Sequence, residues 1–236
     1  MTRLVALWLG LVLLSVTVVE PSAASDPPRP VVVFAAASLK EVVTEIAEEW
    51  SRRHARPVTL SFDATSILAR QIHAGAPADV FVAAAPEWLD EVNPITREDW
   101  LSNRLVCVVL KNVASFDLAT ADSLALANEQ VPAGKYARAA LKYLGIALPK
   151  RAIYGANARD VLSTVVAGGA QAGIVYATDA AVEPSVRIAL TLPADSHPMI
   201  VYAAGLLTTE GQGVFDALRE PWALAIARRH GFLEFE

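Results

Sequence analysis

The sequence predicts an α/β fold in two lobes, and three observations carry that reading. Short β-prone apolar runs alternate with segments whose apolar residues recur at helical spacing. A turn of small or polar residues stands between most runs and the helical pattern behind them, the arrangement of a parallel sheet with right-handed crossovers. The chain of 236 residues is long enough for two lobes of about a hundred residues each, and no repeat, low-complexity tract or long linker divides it.

The first 24 residues stand apart. Arg3 is a positive start, Leu4–Val19 is an apolar run, and Glu20, Pro21 and Ser22-Ala23-Ala24 form a cleavage-like end. This reads as a signal peptide cut after Ala24. Gly10, Ser15 and Thr17 interrupt a run short for a membrane span, and no cysteine follows it to carry a lipid anchor. Removing 24 of the 236 residues leaves a mature chain of 212, with Ser25–Pro30 as an extended lead-in.

Val31–Phe34 reads as a buried strand, and Ala35–Ala37 as the turn after it. Leu39, Val42, Val43, Ile46 and Trp50 mark an amphipathic helix, with Ser38 and Glu41 spaced as a capping box at its start. Pro57–Phe62 is a second strand. The turn Asp63-Ala64-Thr65-Ser66 opens a helix through Ile67, Leu68, Gln71 and Ile72 that stops at Gly75. Ala78–Ala85 is a third strand, and Pro86 starts a short helix. Residues 93–104 read as polar and irregular. Leu105–Leu110 is another buried strand, 111–123 a loose link, and Leu124–Ala127 a short strand. Val131–Gly134 opens a helix closed by Gly145. Ala147–Tyr154 leads to Asn157, an N-cap for a helix through Val161, Leu162, Val165 and Val166. Ala172–Tyr176 is a strand with a short helix behind it. Val186–Leu192 and Met199–Leu207 read as strands joined by the turn Pro193–Pro198. Gln212–His230 is a terminal helix kinked or split at Pro221.

Composition narrows the function. A net charge of −5 gives no basic patch for nucleic acid, and the mature chain has no segment for membrane insertion. The lone Cys107 sits in a strand pattern and forms no intrachain disulfide. His54, His73, His197 and His230 are scattered without metal-ligand spacing, so no metal ligands and no cofactor are expected.

Four helix starts follow strands or plausible strands: at Ser38, at Thr65-Ser66, at Pro132-Ala133 and near Asn157–Val161. In an open α/β sheet such starts lie along the edge where ligands bind. Each brings unpaired N–H groups and a partial positive end. Ala37, Ala64, Ala133 and Ala158 let the backbone approach a ligand, and Ser38, Thr65, Ser66 and Tyr176 offer hydroxyls. This neutral donor set suits a desolvated dianion held by hydrogen bonds, with no metal and no required arginine. The plain alternative is that Ser38 and its counterparts only cap their helices. A secreted serine hydrolase using Ser38 would need a G-x-S-x-G elbow and a paired histidine, and AAASL is not that elbow. Arg70 reads as a surface residue, Asp79 as a cap or pair at the lobe interface, Asp179 as an N-cap, and the tryptophans as packing residues.

The blocks VVVFAAASL (31–39), ILARQIHAGAPADVFVAA (67–84), VPAGKYA (131–137) and GIVYATDA (173–180) resemble the periplasmic molybdate-binding proteins of ABC importers, in the same order over nearly the whole mature chain. The resemblance implies the two-lobed type II periplasmic-binding-protein fold with a ligand cleft between lobes. It implies an N-terminal lobe of 27–108 plus 202–236 and a second lobe of 109–201. It also implies a periplasmic, monomeric solute-binding protein, not an enzyme, that captures molybdate and tungstate and delivers them to a membrane permease. Another tetrahedral oxyanion, sulfate or phosphate, is the alternative cargo. Carried over by position, the ligand donors are Ser38, Thr65 or the neighbouring Ser66, the N–H groups of Ala133 and Val161, and the Tyr176 hydroxyl. Asp63 departs from the small residues common there and is expected to face solvent or cap its turn.

Overall fold

The computed structural model describes residues 29–235. The expected signal peptide lies outside them. The chain opens with β1 (Val31–Ala36), a 3-10 turn at Ala37–Leu39 and α1 (Lys40–His54). β2 (Val58–Asp63), α2 (Thr65–His73), β3 (Val80–Ala83), the short α3 (Glu87–Asp90) and β4 (Thr96–Ser102) follow. Side chains of β1 and β3 alternate between two apolar layers, as the period of a strand dictates. Val33, Ala35, Val80 and Val82 share one cluster with Val42, Val43, Ile46 and Trp50 of α1, whereas Phe34, Phe81 and Ala83 pack with Leu68 and Leu89.

The second group is β5 (Leu105–Leu110), β6 (Ser123–Ala127), α4 (Pro132–Tyr143), β7 (Arg151–Gly155), α5 (Ala158–Val166), β8 (Ala172–Tyr176), α6 (Ala177–Ala181) and β9 (Val186–Thr191). The chain then returns through β10 (Val201–Leu206), α7 (Gln212–Ala217), α8 (Pro221–Arg229) and β11 (Leu233–Glu234). Pro221 begins α8, so the terminal helix is split where proline removes a donor. Among the described residues no helix is long and apolar enough to cross a membrane.

Two sheets result, ordered β11-β4-β10-β3-β1-β2 and β7-β6-β8-β5-β9. Both are mixed, which corrects the expectation of parallel sheets. β1, β2 and β3 run parallel, as do β6, β7 and β8, but β10 is antiparallel to β3 and β4, and β5 to β8 and β9. β5 and β10 are the strands that the chain enters on crossing from one sheet to the other. Asn103-Arg104 joins β4 to β5, and residues 192–200 join β9 to β10. Pro193–Pro198 is therefore not the turn of a hairpin but part of a crossing between sheets. The boundary expected at 108/109 would cut β5, all of whose paired residues lie in the second sheet.

β4 was expected to be irregular. Its sequence TREDWLS has weak strand propensity, yet it pairs with β10 on one side and β11 on the other. Only Trp100 and Leu101 are fully buried along it, and Trp100 Nε1 donates to Leu218 O at 2.8 Å. Tertiary pairing supplies what the local pattern lacks. Cys107 is fully buried in β5, and desolvation pushes its thiol pKa up to about 12.

Candidate functional site

The carboxyl ends of β1, β2, β6, β7 and β8 face one another across the two sheets. Between them lies a cavity with about 20 Å³ of space for the centres of water-sized spheres, lined by Ser38, Asp63, Thr65, Ala84, Ala133, Asn157, Ala158 and Tyr176 together with small neighbours. The space is small, more than one water needs and far less than a drug-sized ligand fills. No lysine, arginine or histidine lines it. Its polar character comes from backbone N–H groups and hydroxyls, with the Asp63 carboxylate and the Asn157 amide beside them.

The helix starts supply the N–H groups, and each start leaves a definite set free. At α4, Pro132 has no N–H, and the Gly134 and Lys135 N–H groups return to Val131 O at 3.0 and 3.1 Å. That leaves Ala133 as the donor of the first turn. Gly134 is required here, because a Cβ at that position would lie 1.9 Å from Asn128 O and 2.5 Å from Ala127 O. At α5, Asn157 caps the helix as expected: its Oδ1 accepts from Asp160 N–H at 3.0 Å. Val161 is the ligand position that the resemblance implies at this helix. Its N–H already donates to Asn157 O at 3.2 Å, its side chain is fully buried, and it does not line the cavity. The cap puts the free end of the helix at Asn157 and Ala158, which do line it.

The hydroxyls sort in the same way. Thr65 lines the cavity and its Oγ1 accepts the Ala84 N–H at 3.0 Å, so its own proton remains to be given. Ser66 is buried but does not line the cavity. Asp63 lines it and caps its turn, accepting the Ala64 N–H at 2.6 Å. Tyr176, at the end of β8, is 2% exposed and its hydroxyl has no hydrogen-bond partner among the described residues. Desolvation holds that phenol far above its ordinary pKa, so it stays protonated.

Ser38 corrects the capping-box reading. The 3-10 turn moves the start of α1 to Lys40, Leu39 becomes its cap residue, and no side chain caps it. The Ser38 Oγ instead lies 3.1 Å from the Tyr202 hydroxyl, and the Glu41 carboxylate pairs with Arg159. A hydroxyl whose neighbour is a phenol has no general base to activate it.

Arg159 joins the two lobes beside the cavity. From α5 it reaches Glu41 on α1 and, through Nε at 2.6 Å, Asp179 Oδ1 on α6. Asp179 is fully buried, so it is a buried ion-pair member and not the helix cap expected of it. Asp79 also differs from expectation. It pairs, but just ahead of β3 in the first lobe, binding Arg29, the Val32 N–H and Thr208; burial pushes its carboxyl up, but these bonds outweigh burial and hold it below its ordinary pKa.

Desolvation raises the Asp179 pKa to about 6 against the pull of Arg159. An acid whose pKa is higher folded than unfolded binds more protons in the native state. Its contribution to stability is therefore full below about pH 4 and falls as pH rises through about 6. Wild type is expected to lose on the order of 2–3 kcal/mol over that window relative to Asp179→Asn. Urea unfolding of both proteins across the window checks it, and identical slopes would refute it.

Tyr202, Asn103 and Arg159 were not singled out from the sequence as site residues. The Arg159–Glu41 pair spans 118 positions, and no local pattern encodes a contact of that separation.

Residues 31–233 match the family model described as bacterial extracellular solute-binding protein. The chain is 35% identical over 227 residues to the molybdate-binding protein ModA of Escherichia coli, covering 86% of this chain and 88% of that one. Among solved structures it is similar to the substrate-binding domain of a putative molybdenum ABC transporter from Clostridium difficile. That match has 26% identity and a TM-score of 0.69, covering 89% of this chain and all of that one. The Azotobacter vinelandii periplasmic molybdate-binding protein superposes with a TM-score of 0.75 at 22% identity, covering 87% of this chain and all of that one.

Proposed function

The chain belongs to the bacterial extracellular solute-binding protein family, and we propose that it captures molybdate, and tungstate with it, for delivery to the permease of an ABC importer. The observation that carries this reading is the Tyr176 hydroxyl, buried, protonated and without a partner at a cavity rimmed by helix starts from both lobes. A buried donor left unpaired costs about 1–3 kcal/mol, which a ligand with acceptors on every side recovers. Ser38 and Thr65 from one lobe, and Ala133, Ala158 and Tyr176 from the other, can offer donors to a tetrahedral oxyanion from both sides, with the Asp63 carboxylate tied to its own turn at the edge of the wall. Names of relatives that bind molybdate support the choice of cargo.

In this reading the protein is not an enzyme and works outside the cytoplasm as a carrier. Closure of the lobes on the anion forms the surface that the permease reads. Lys135 of α4 stands 3.5 Å from Glu87 of α3, and Arg159 bridges to Glu41, so both pairs form only when the lobes meet.

Calorimetric titration of desalted protein with molybdate, tungstate, sulfate and phosphate tests the assignment. Tight sulfate binding with no molybdate response would overturn it. Tyr176→Phe is expected to weaken molybdate binding by about 10- to 150-fold, the worth of one hydrogen bond to a charged group. The same variant, without ligand, should be at least as stable as wild type, because it removes an unpaired buried polar atom. A wild-type Kd in that variant would place the ligand elsewhere.

A further inference from the structure

Three charged residues stand directly behind donors of the cavity. Glu41 follows Ser38 by three positions, Arg159 follows Ala158 by one, and Asp179 follows Tyr176 by three. They meet as two carboxylates on one guanidinium, so the ionised cluster carries one negative charge more than it balances.

Asp179 is the enclosed member. It is fully buried, and apart from the Arg159 Nε pair at 2.6 Å neither of its oxygens has a hydrogen-bond partner among the described residues. Tyr202 of β10 stands beside it, but that hydroxyl is engaged with Ser38 Oγ at 3.1 Å and with the Asn103 amide at 3.1 Å. The Tyr176 phenol and the Cys107 thiol of β5 are protonated and bring no charge. The other charged groups around α6 face elsewhere. Asp160 of α5 accepts the Ala156 N–H at 2.9 Å, Glu183 accepts the Ser185 N–H at 2.9 Å, and Arg187 of β9 donates to Val113 O at 2.8 Å.

Asp179 and Arg159 belong to the second lobe, Glu41 and Tyr202 to the first. Opening the cleft takes away the second carboxylate and the cover, and leaves Asp179 with its guanidinium in wetter surroundings. Closing the cleft brings a second negative charge and removes water, in front of an arriving dianion. All of these changes favour the uncharged carboxyl.

Resting on the oxyanion reading above, we infer that closing on the anion draws a proton onto Asp179, so that the protein binds its cargo and a proton together. In the closed form desolvation, with Glu41 beside it, raises Asp179 to about 6 against the pull of Arg159. Opened, with Arg159 kept and burial lost, the carboxyl returns to its ordinary value of about 4 or below. The bound state then holds more protons than the free state between those values. Affinity is therefore highest below about pH 4, falls as pH rises through about 6, and is level above about 7.

The test titrates molybdate calorimetrically into the purified protein at about pH 6 in two buffers of different ionisation heat, and the difference counts the protons taken up per anion. Wild type is expected to take up roughly half a proton, and its Kd to tighten about tenfold from about pH 7.5 to about pH 5. Asp179→Asn, a neutral isostere, should take up none and show a flat pH profile. At about pH 7.5 it should bind at least as tightly as wild type does at about pH 5. This variant also accounts for any proton the anion itself carries. Glu41→Gln removes the first lobe's carboxylate and should take up less than wild type, which keeps the test decisive if Asp179→Asn does not fold. A merely structural role for Asp179 would change stability and leave the proton count alone. No buffer dependence in wild type, or undiminished uptake in either folded variant, overturns the coupling. Absence of molybdate binding in wild type overturns the oxyanion reading itself, which is a different result.

Discussion

Gly134→Ala is expected to abolish oxyanion binding and to destabilise the fold by about 3 kcal/mol or more, the upper range for an overpacked site. The new Cβ would meet Asn128 O at 1.9 Å, Ala127 O at 2.5 Å and Asn128 C at 2.6 Å. All three are backbone atoms at the end of β6, so no side chain can swing away. The first turn of α4 must lift off the sheet, and it carries the Ala133 N–H with it. Gly145→Ala is the matched control. Its φ of +68° puts strain on an alanine, but nothing lies within 4 Å of its Cβ, so about 1–2 kcal/mol and an intact site are expected. Urea unfolding and molybdate titration of both variants check this. Wild-type affinity in Gly134→Ala would mean that the Ala133 donor is not part of the site.

Arg159→Ala is expected to cost about 3–5 kcal/mol near neutral pH, because it leaves the buried Asp179 carboxylate without its partner. The loss should shrink at about pH 5 and below, where Asp179 takes up a proton, and Asp179→Asn in the same chain should restore much of it. Affinity for the anion should fall as well, since the bridge from α5 to Glu41 of α1 is cut. That second loss should persist in the double variant, which separates fold stability from lobe closure. Full recovery of affinity in the double variant would remove Arg159 from any part in closure.

The alternation of strand and helix was legible because each βα unit is local. β8 at Ala172–Tyr176, the Asn157 cap and the split at Pro221 were read from neighbouring residues and occur where those residues put them. The direction of β5 and β10 was not legible, since it depends on the chain leaving one sheet and returning to it. β4 was missed because its pairing with β10 and β11 overrides a polar sequence. In the site, Ser38, Thr65, Ala133 and Tyr176 converge on one cavity, and Ser66 and Val161 do not line it. Val161 was carried over by position from the resemblance, while the Asn157 cap leaves the free end of α5 at Asn157 and Ala158. Asn103 and Tyr202 were silent in sequence because their bond joins partners 99 residues apart.

Cys107 is the only cysteine in the chain, fully buried, with its thiol held protonated at neutral pH. Such a thiol is inert toward electrophilic dyes. A cysteine introduced at Glu87 or Lys135, exposed partners that face each other across the mouth of the cleft at 3.5 Å, would then be labelled by a fluorophore without background. Opening and closing of the lobes would change the surroundings of that dye. The inert thiol and the paired rim together make the protein a ready scaffold for an optical sensor of its cargo.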